Sequence, residues 1–142
     1  MGLVNLDALD EFVVANRRNH ALYSRRLNAI EGLSVLAYDD REQNNYQYVV
    51  VEVGEEFPVS RDEIVRALQA ENVLARRYFW PGCHNMLPYR AFYPHAGLLL
   101  PNTAQVADRV IVLPTGATIG ESEIETIADI FEILSQSIKS IF

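Results

Sequence analysis

The sequence predicts an α+β domain in which helices cover a small sheet. Three observations carry this: helix-period apolar spacing near both ends, a β-branched and aromatic run at residues 46–53, and capping patterns that open two further helices. At the N-terminal end, Leu9, Phe12, Val13, Tyr23, Leu27 and Ile30 fall on one side of a helix expected over Leu6–Glu31. Asp7 and Asp10 stand early, Arg17, Arg18, Arg25 and Arg26 late, and Gly32 follows, an order that suits the helix dipole and a left-handed stop. Leu33–Tyr38 reads as a short strand, Asp39–Asn45 as an exposed connection, and Tyr46–Val53 (YQYVVVEV) as the clearest strand.

Ser60 followed by Glu63 forms a capping box, and Ile64, Val65 and Leu68 give the apolar side of a helix stopping near Asn72. Val73–Trp80 reads as extended. Pro81–Pro101 is rich in turn formers and aromatics, shows no period, and is too long for a passive connection. Asn102 is expected to cap a short helix through Arg109, Val110–Leu113 is a strand, and Pro114 with Gly116 marks a turn. Thr118 and Glu121 suggest a second capping box. It opens a last helix carrying Ile124, Ile127, Phe131, Leu134, Ile138 and Ile141. The spacing lets the first and last helices pack on each other. No repeat or linker divides residues 1–142, which read as a single domain.

The chain has 142 residues, enough for one core without disulfides or a structural metal. Twelve Lys plus Arg face 19 Asp plus Glu, a formal charge of −7, which argues against phosphate-backbone binding and so against nucleic-acid partners. Cys83 is the single cysteine, so neither an intrachain disulfide nor a multi-thiolate zinc site can form, and a reducing, cytoplasmic setting is expected. No apolar run approaches the roughly 20 residues a membrane helix needs.

Candidate chemistry narrows quickly. Cys83 and His84 are adjacent, and neighbours in an extended segment point apart, so a nucleophile–base dyad is not expected and Cys83 reads as a small buried residue. The histidines, His20, His84 and His95, have no helix-ligand spacing, and His20 shares a helix face with Tyr23 and Leu27. There is no Walker loop and no GxGxxG. Lys139, near the C-terminus, is the only lysine, and its place at a helix end suits a solvated charge rather than an imine-forming amine. The richest constellation is Arg76–Arg90, RRYFWPGCHNMLPYR. Tyr78, Phe79 and Trp80 offer flat surfaces, His84 and Tyr89 hydrogen bonds, and Arg76, Arg77 and Arg90 cationic forks for phosphate or carboxylate. Two readings stand side by side: one wall of a site for an anionic ligand with a ring, or core aromatics rimmed by arginines.

Three separated blocks, NLDALDEFVVANRRNHALYSRRL, ENVLARRYFWPGCHNMLPYR and LPNTAQVADRVIVLPTGATIGESEIETIADI, together resemble the C-terminal small domain of the DegT/DnrJ/EryC1/StrS nucleotide-sugar aminotransferases. The resemblance runs from about Gly2 to Leu134. Its most specific pieces are Tyr78-Phe79, Pro81-Gly82-Cys83-His84, Pro88-Tyr89 and Leu113-Pro114-Thr115-Gly116. It implies a small, mostly antiparallel sheet covered by helices, as in fold-type I transferases dependent on pyridoxal phosphate. It also implies amino transfer, typically from glutamate, to a keto sugar on a nucleoside diphosphate, by dimers whose small domain closes over the substrate. Carried over, Tyr78, Phe79, Trp80 and His84 would face the sugar-nucleotide cleft, Tyr89 and Arg90 would support that wall, and His84 would hydrogen-bond substrate. The PGCH variant is most similar to members acting on dTDP-4-keto-6-deoxy sugars.

The family's cofactor lysine, phosphate-binding residues and pyridine-pairing acid belong to a large domain upstream of the resembling region. Met1-Gly2-Leu3 resembles the stretch joining the two domains. The expectation is a chain with no catalytic residue and no cofactor site of its own, inactive alone, partnered by a large domain or by itself through apolar helix faces. The alternative is a free-standing, non-catalytic nucleotide-sugar-binding or interaction module. Exposed apolar sides on the first helix would favour the former and a sealed surface the latter.

Overall fold

The computed structural model describes residues 8–136. Among the described residues four strands form one antiparallel sheet in the order β1-β2-β4-β3: β1 Leu33–Val35, β2 Val49–Val53, β3 Arg76–Arg77 and β4 Val110–Leu113. Val51 of β2 pairs with Ile111 of β4, which pairs in turn with Arg77. Helices α1 (Leu9–Leu27), α2 (Arg61–Ala70) and α6 (Glu121–Gln136) bury Tyr23, Leu27, Ile64, Leu68, Ile124 and Phe131 with Val49, Val51, Ile111 and Leu113. This is the α+β arrangement the sequence predicts, with the small antiparallel sheet that the resemblance implies.

Strand alternation turns Val49, Val51 and Val53 toward that core and Val50 and Glu52 to the opposite face. There lies α5 (Pro101–Arg109), which touches β2. The segment before α5, expected to be a loop without period, is helical in pieces: a 3₁₀ turn at Cys83–Asn85, α3 at Tyr89–Phe92 and α4 at Ala96–Leu99. Pro81, Pro88, Pro94 and Pro101 cut it into runs too short for a period to show.

Several boundaries differ from the expected ones for local reasons. The first helix ends at Leu27 because the Asn28 side chain accepts the N–H of Val35 at 2.7 Å, joining the chain to β1; Leu6 and Asp7 lie outside the described residues. Gly32, at φ +82°, is pressed so closely on Phe57 that a Cβ would stand 2.5 Å from the Phe57 amide nitrogen. Beyond β1, Tyr38 leaves the sheet to pack on His20 and Tyr46, with ring centroids 5.0 and 4.7 Å away. Tyr46 itself takes φ +51°, so β2 starts at Val49 rather than Tyr46. Phe79, at φ +47°, likewise confines the extended stretch 73–80 to a two-residue strand.

The capping box of α2 forms in full between Ser60 and Glu63. The other two expected caps do not. Pro101 opens α5, whose cap position Leu100 makes no side-chain bond, so Asn102 is inside the helix. Before α6, it is the Gly120 N–H that bonds Glu123 Oε2 at 2.9 Å, so Thr118 is not the cap. Ile138, Lys139 and Ile141 lie outside the described residues.

The first and last helices do pack on each other. Arg26 reaches Glu125, Asp129 and Glu132 at 2.6–3.1 Å, a partly exposed network whose stabilising effect solvent reduces. A buried lock ties α1 to the turn before α6. Asn19 Nδ2 donates to Gly116 O (3.0 Å) and Thr115 Oγ1 (3.3 Å), and Tyr23 OH donates to Pro114 O (3.0 Å). Burial pushes the Tyr23 phenol well above its ordinary value. The N-terminal half of α1 nonetheless leaves Leu9, Phe12 and Val14 exposed.

Candidate functional site

A cavity of about 510 Å³ opens on the sheet face opposite the main core. One wall is the helix α5 with the start of β4, contributing Asn102, Thr103, Val106, Ala107 and Val110. Arg61, 5% exposed, fixes this wall: its Nη1 donates to Ala107 O (2.8 Å) and Val110 O (3.2 Å), where the helix carbonyls run out of partners. The facing wall is Tyr78, Phe79 and the turn Gly82–His84.

The aromatic wall is a cluster of mutually tilted rings. Tyr78 lies 4.3 Å from Phe79 and 5.6 Å from Tyr48, centroid to centroid. Phe79 is 72% exposed, so its ring is held out from the fold rather than packed within it. Tyr78 and Phe79 line the cavity and are absent from the core.

His84 is 8% exposed and sits between two glycines. A Cβ on Gly82, at φ +84°, would stand 2.7 Å from His84 Cε1 and 2.9 Å from Nδ1, so only glycine admits the ring there. Gly97 of α4 lies against the other edge, 3.8 Å from Cδ2 to the position its Cβ would take. Asn85 Nδ2 stands 3.0 Å from His84 Nε2 and 3.0 Å from Pro81 O.

The remaining expected site residues are placed elsewhere. Trp80 does not line the cavity; its ring lies under the Arg77 guanidinium, 4.6 Å from Cζ to centroid. Arg77 Nε also stands 3.0 Å from Asp62 Oδ1, close enough for an ion pair but misdirected for a hydrogen bond, which leaves that nitrogen buried without one. Tyr89 and Arg90 are exposed on α3, and Arg76 is exposed on β3. Cys83 is exposed rather than buried: the 3₁₀ turn, not an extended strand, carries it to the cavity rim. Sequence reasoning missed Asn102, Thr103 and Val106, whose 3.6-residue spacing after Pro101 was the available signal. It also missed Arg61, whose role depends on a contact 46 residues away.

With this geometry in hand, the sequence matches the DegT/DnrJ/EryC1/StrS aminotransferase family over residues 1–132. The chain belongs to that family. It is 34% identical over 80 residues to dTDP-4-amino-4,6-dideoxy-D-glucose transaminase of Shigella dysenteriae, a match covering 56% of this chain and 22% of that protein. The enzyme of the same name from Escherichia coli is 28% identical over 85 residues, covering 60% of this chain and 23% of that protein. Among solved structures, DesI, crystallised in the presence of its TDP-sugar product, matches at TM-score 0.88 and 42% identity, covering 99% of this chain and 36% of that one. Helicobacter pylori PseC, an aminotransferase of pseudoaminic acid biosynthesis, shares the fold at TM-score 0.81 and 17% identity, with 96% and 36% covered. The chain thus spans about a third of the length of these solved proteins.

The family's aminotransferases work with pyridoxal phosphate, which is held as an imine on a lysine. The only lysine, Lys139, lies outside the described residues, so the described residues do not fit covalent attachment of that group. Among the described residues no His, Cys, Asp and Glu cluster could hold a metal, and no helix is long and apolar enough to cross a membrane.

Proposed function

We propose that this chain is the substrate-recognition part of a nucleotide-sugar aminotransferase, forming one wall of the sugar-nucleotide site. By itself it lacks transaminase activity, and it acts with a cofactor-bearing large domain or a second subunit. The observation that carries this is the cavity between Tyr78, Phe79, His84 and α5, set in a fold 42% identical to DesI, a protein crystallised with a TDP-sugar. Tyr78 and Phe79 supply flat faces for a base or sugar ring, and His84, Asn102 and Thr103 supply hydrogen bonds for its oxygens. The curated relatives support a dTDP-linked 4-keto-6-deoxy sugar as the substrate class. Trp80, Tyr89 and Arg90, which stand outside the cavity, make contacts that exist only once the larger partner is in place. Leu9, Phe12 and Val14, exposed on α1, favour this reading over a sealed, free-standing module.

A chimera tests it: the corresponding third of DesI is replaced by this chain and assayed for turnover of the TDP-sugar. Turnover is expected, with a raised KM when Tyr78 or His84 becomes alanine. A folded, cofactor-loaded chimera that neither binds nor converts the sugar nucleotide would overturn the proposal. Binding of the sugar nucleotide by the unmodified chain at the affinity of a whole enzyme would favour the free-standing module instead.

A further inference from the structure

The contacts around His84 determine which of its ring nitrogens carries the proton. Asn85 Nδ2 lies 3.0 Å from Pro81 O, and a backbone carbonyl can only accept, so the amide atom there must be nitrogen whatever the initial orientation of the side chain. The same Nδ2 is 3.0 Å from His84 Nε2, and with its second hydrogen it can only donate. Nε2 is therefore the acceptor, and a neutral ring must carry its hydrogen on Nδ1. No hydrogen bond engages Nδ1 among the described residues. Gly82, which has no side chain, lies against the Cε1–Nδ1 edge of the ring, and Gly82 and His84 both line the cavity.

The geometry points to Asn85 as a positioning residue that locks His84 in the Nδ1–H form, so that His84 offers the cavity a single hydrogen-bond donor for an acceptor oxygen of the sugar nucleotide. The inference rests on the proposed function for the identity of the ligand, but not for the tautomer. Asn85 does not line the cavity and acts through the ring. The orientation has an internal contrast: His20 Nε2 lies 2.9 Å from Leu36 O, which can only accept, so His20 must be the Nε2–H form in the same chain.

The test is a long-range proton–nitrogen correlation spectrum of the full chain labelled with ¹⁵N-histidine, at alkaline pH where imidazole rings are neutral. His84 is assigned by its loss in His84→Gln. The expected spectrum shows opposite tautomers for His84 and His20. Asn85→Ala is expected to release His84 from the Nδ1–H form. Asn85→Asp, whose carboxylate can only accept, should drive it to Nε2–H. His20 stays unchanged in both, which separates loss of the lock from loss of the fold. A wild-type His84 in the Nε2–H form, or one indifferent to both substitutions while His20 keeps its signal, overturns the inference.

Adding dTDP-sugar separates the two claims. A shift of the His84 Nδ1 resonance supports the donor role. Shifts at Tyr78 and Phe79 without one at Nδ1 refute the donor role while leaving the proposed function standing. Correct tautomers with no response in any cavity residue, here and in the DesI chimera, support the lock and count against the proposed function.

Discussion

Replacing Gly82 by alanine sets two costs against one small ring. Gly82 adopts φ +84° and ψ 146°, a region essentially reserved for glycine, and forcing another residue into it costs about 1–3 kcal/mol. The new Cβ would also stand 2.7 Å from His84 Cε1, so the ring must leave its position, and an off-rotamer side chain adds about 0.5–1.5 kcal/mol. Together these predict a loss of roughly 2–4 kcal/mol. With a urea dependence of about 1–3 kcal/mol per molar, the unfolding midpoint should fall by about 1 M or more. Gly97→Ala is the control, because it approaches the same ring from the other side. Its Cβ would make ordinary contact at 3.8 Å, inside α4, where alanine is favoured over glycine by up to about 1 kcal/mol. The pair should therefore move in opposite directions in urea denaturation followed by circular dichroism. A Gly82→Ala protein within about 0.5 kcal/mol of wild type, or a Gly97→Ala protein damaged equally, would refute the sandwiched placement of His84.

Three further outcomes are expected. Arg61→Leu leaves the Ala107 and Val110 carbonyls without their donor and should cost roughly 1–3 kcal/mol in urea, with faster hydrogen exchange concentrated in α5. Tyr23→Phe should cost about 1 kcal/mol by leaving Pro114 O unpaired. Because burial raises the Tyr23 phenol above its ordinary value of about 10, the folded state holds its proton longer than the unfolded one, so stability must fall as pH climbs past that value. That part of the alkaline loss should vanish in the phenylalanine protein, as a pH series of denaturation curves will show. Glu63, held below the usual carboxylate range by the Ser60 hydroxyl and then its N–H, stabilises the fold above the ordinary glutamate value and ceases to as pH falls through its lowered one. Glu63→Gln should flatten the acid limb of the same series.

What the sequence revealed depended on how local the cause was. The Ser60–Glu63 box, the Val49–Val53 strand and the period of α6 are each specified by residues within a few positions of one another, and each formed. Where the structure departs, the cause is distant or conformational. Tyr46 has the propensity of a strand residue, but its ring packs on His20 of α1, 26 positions earlier. The residue type of Cys83 favours burial, yet the turn that exposes it follows Gly82 at positive φ. The candidate site was legible in part: Tyr78, Phe79 and His84 stand on the cavity. Trp80 was diverted by Arg77, a pairing that residue types alone do not choose among three nearby arginines.

The cavity's exposed wall bears on the proposed dependence on a partner. Neither α3 nor α4 buries a single residue, and between them Tyr89, Phe92, Tyr93, Leu98 and Leu99 are 56–82% exposed. Helices of four residues have no intrinsic stability in water and ordinarily depend on a buried face. Here both instead contact the 3₁₀ turn that carries His84. That turn therefore serves two structures at once, the cavity wall through the ring and the apolar rim through the backbone. A partner covering the rim would stiffen α3 and α4, restrain the turn between them, and so fix the donor facing the cavity. In the proposed assembly, then, docking and substrate recognition are coupled through the few residues from Gly82 to Asn85, whereas α1, α2 and α6 can hold their core regardless of either.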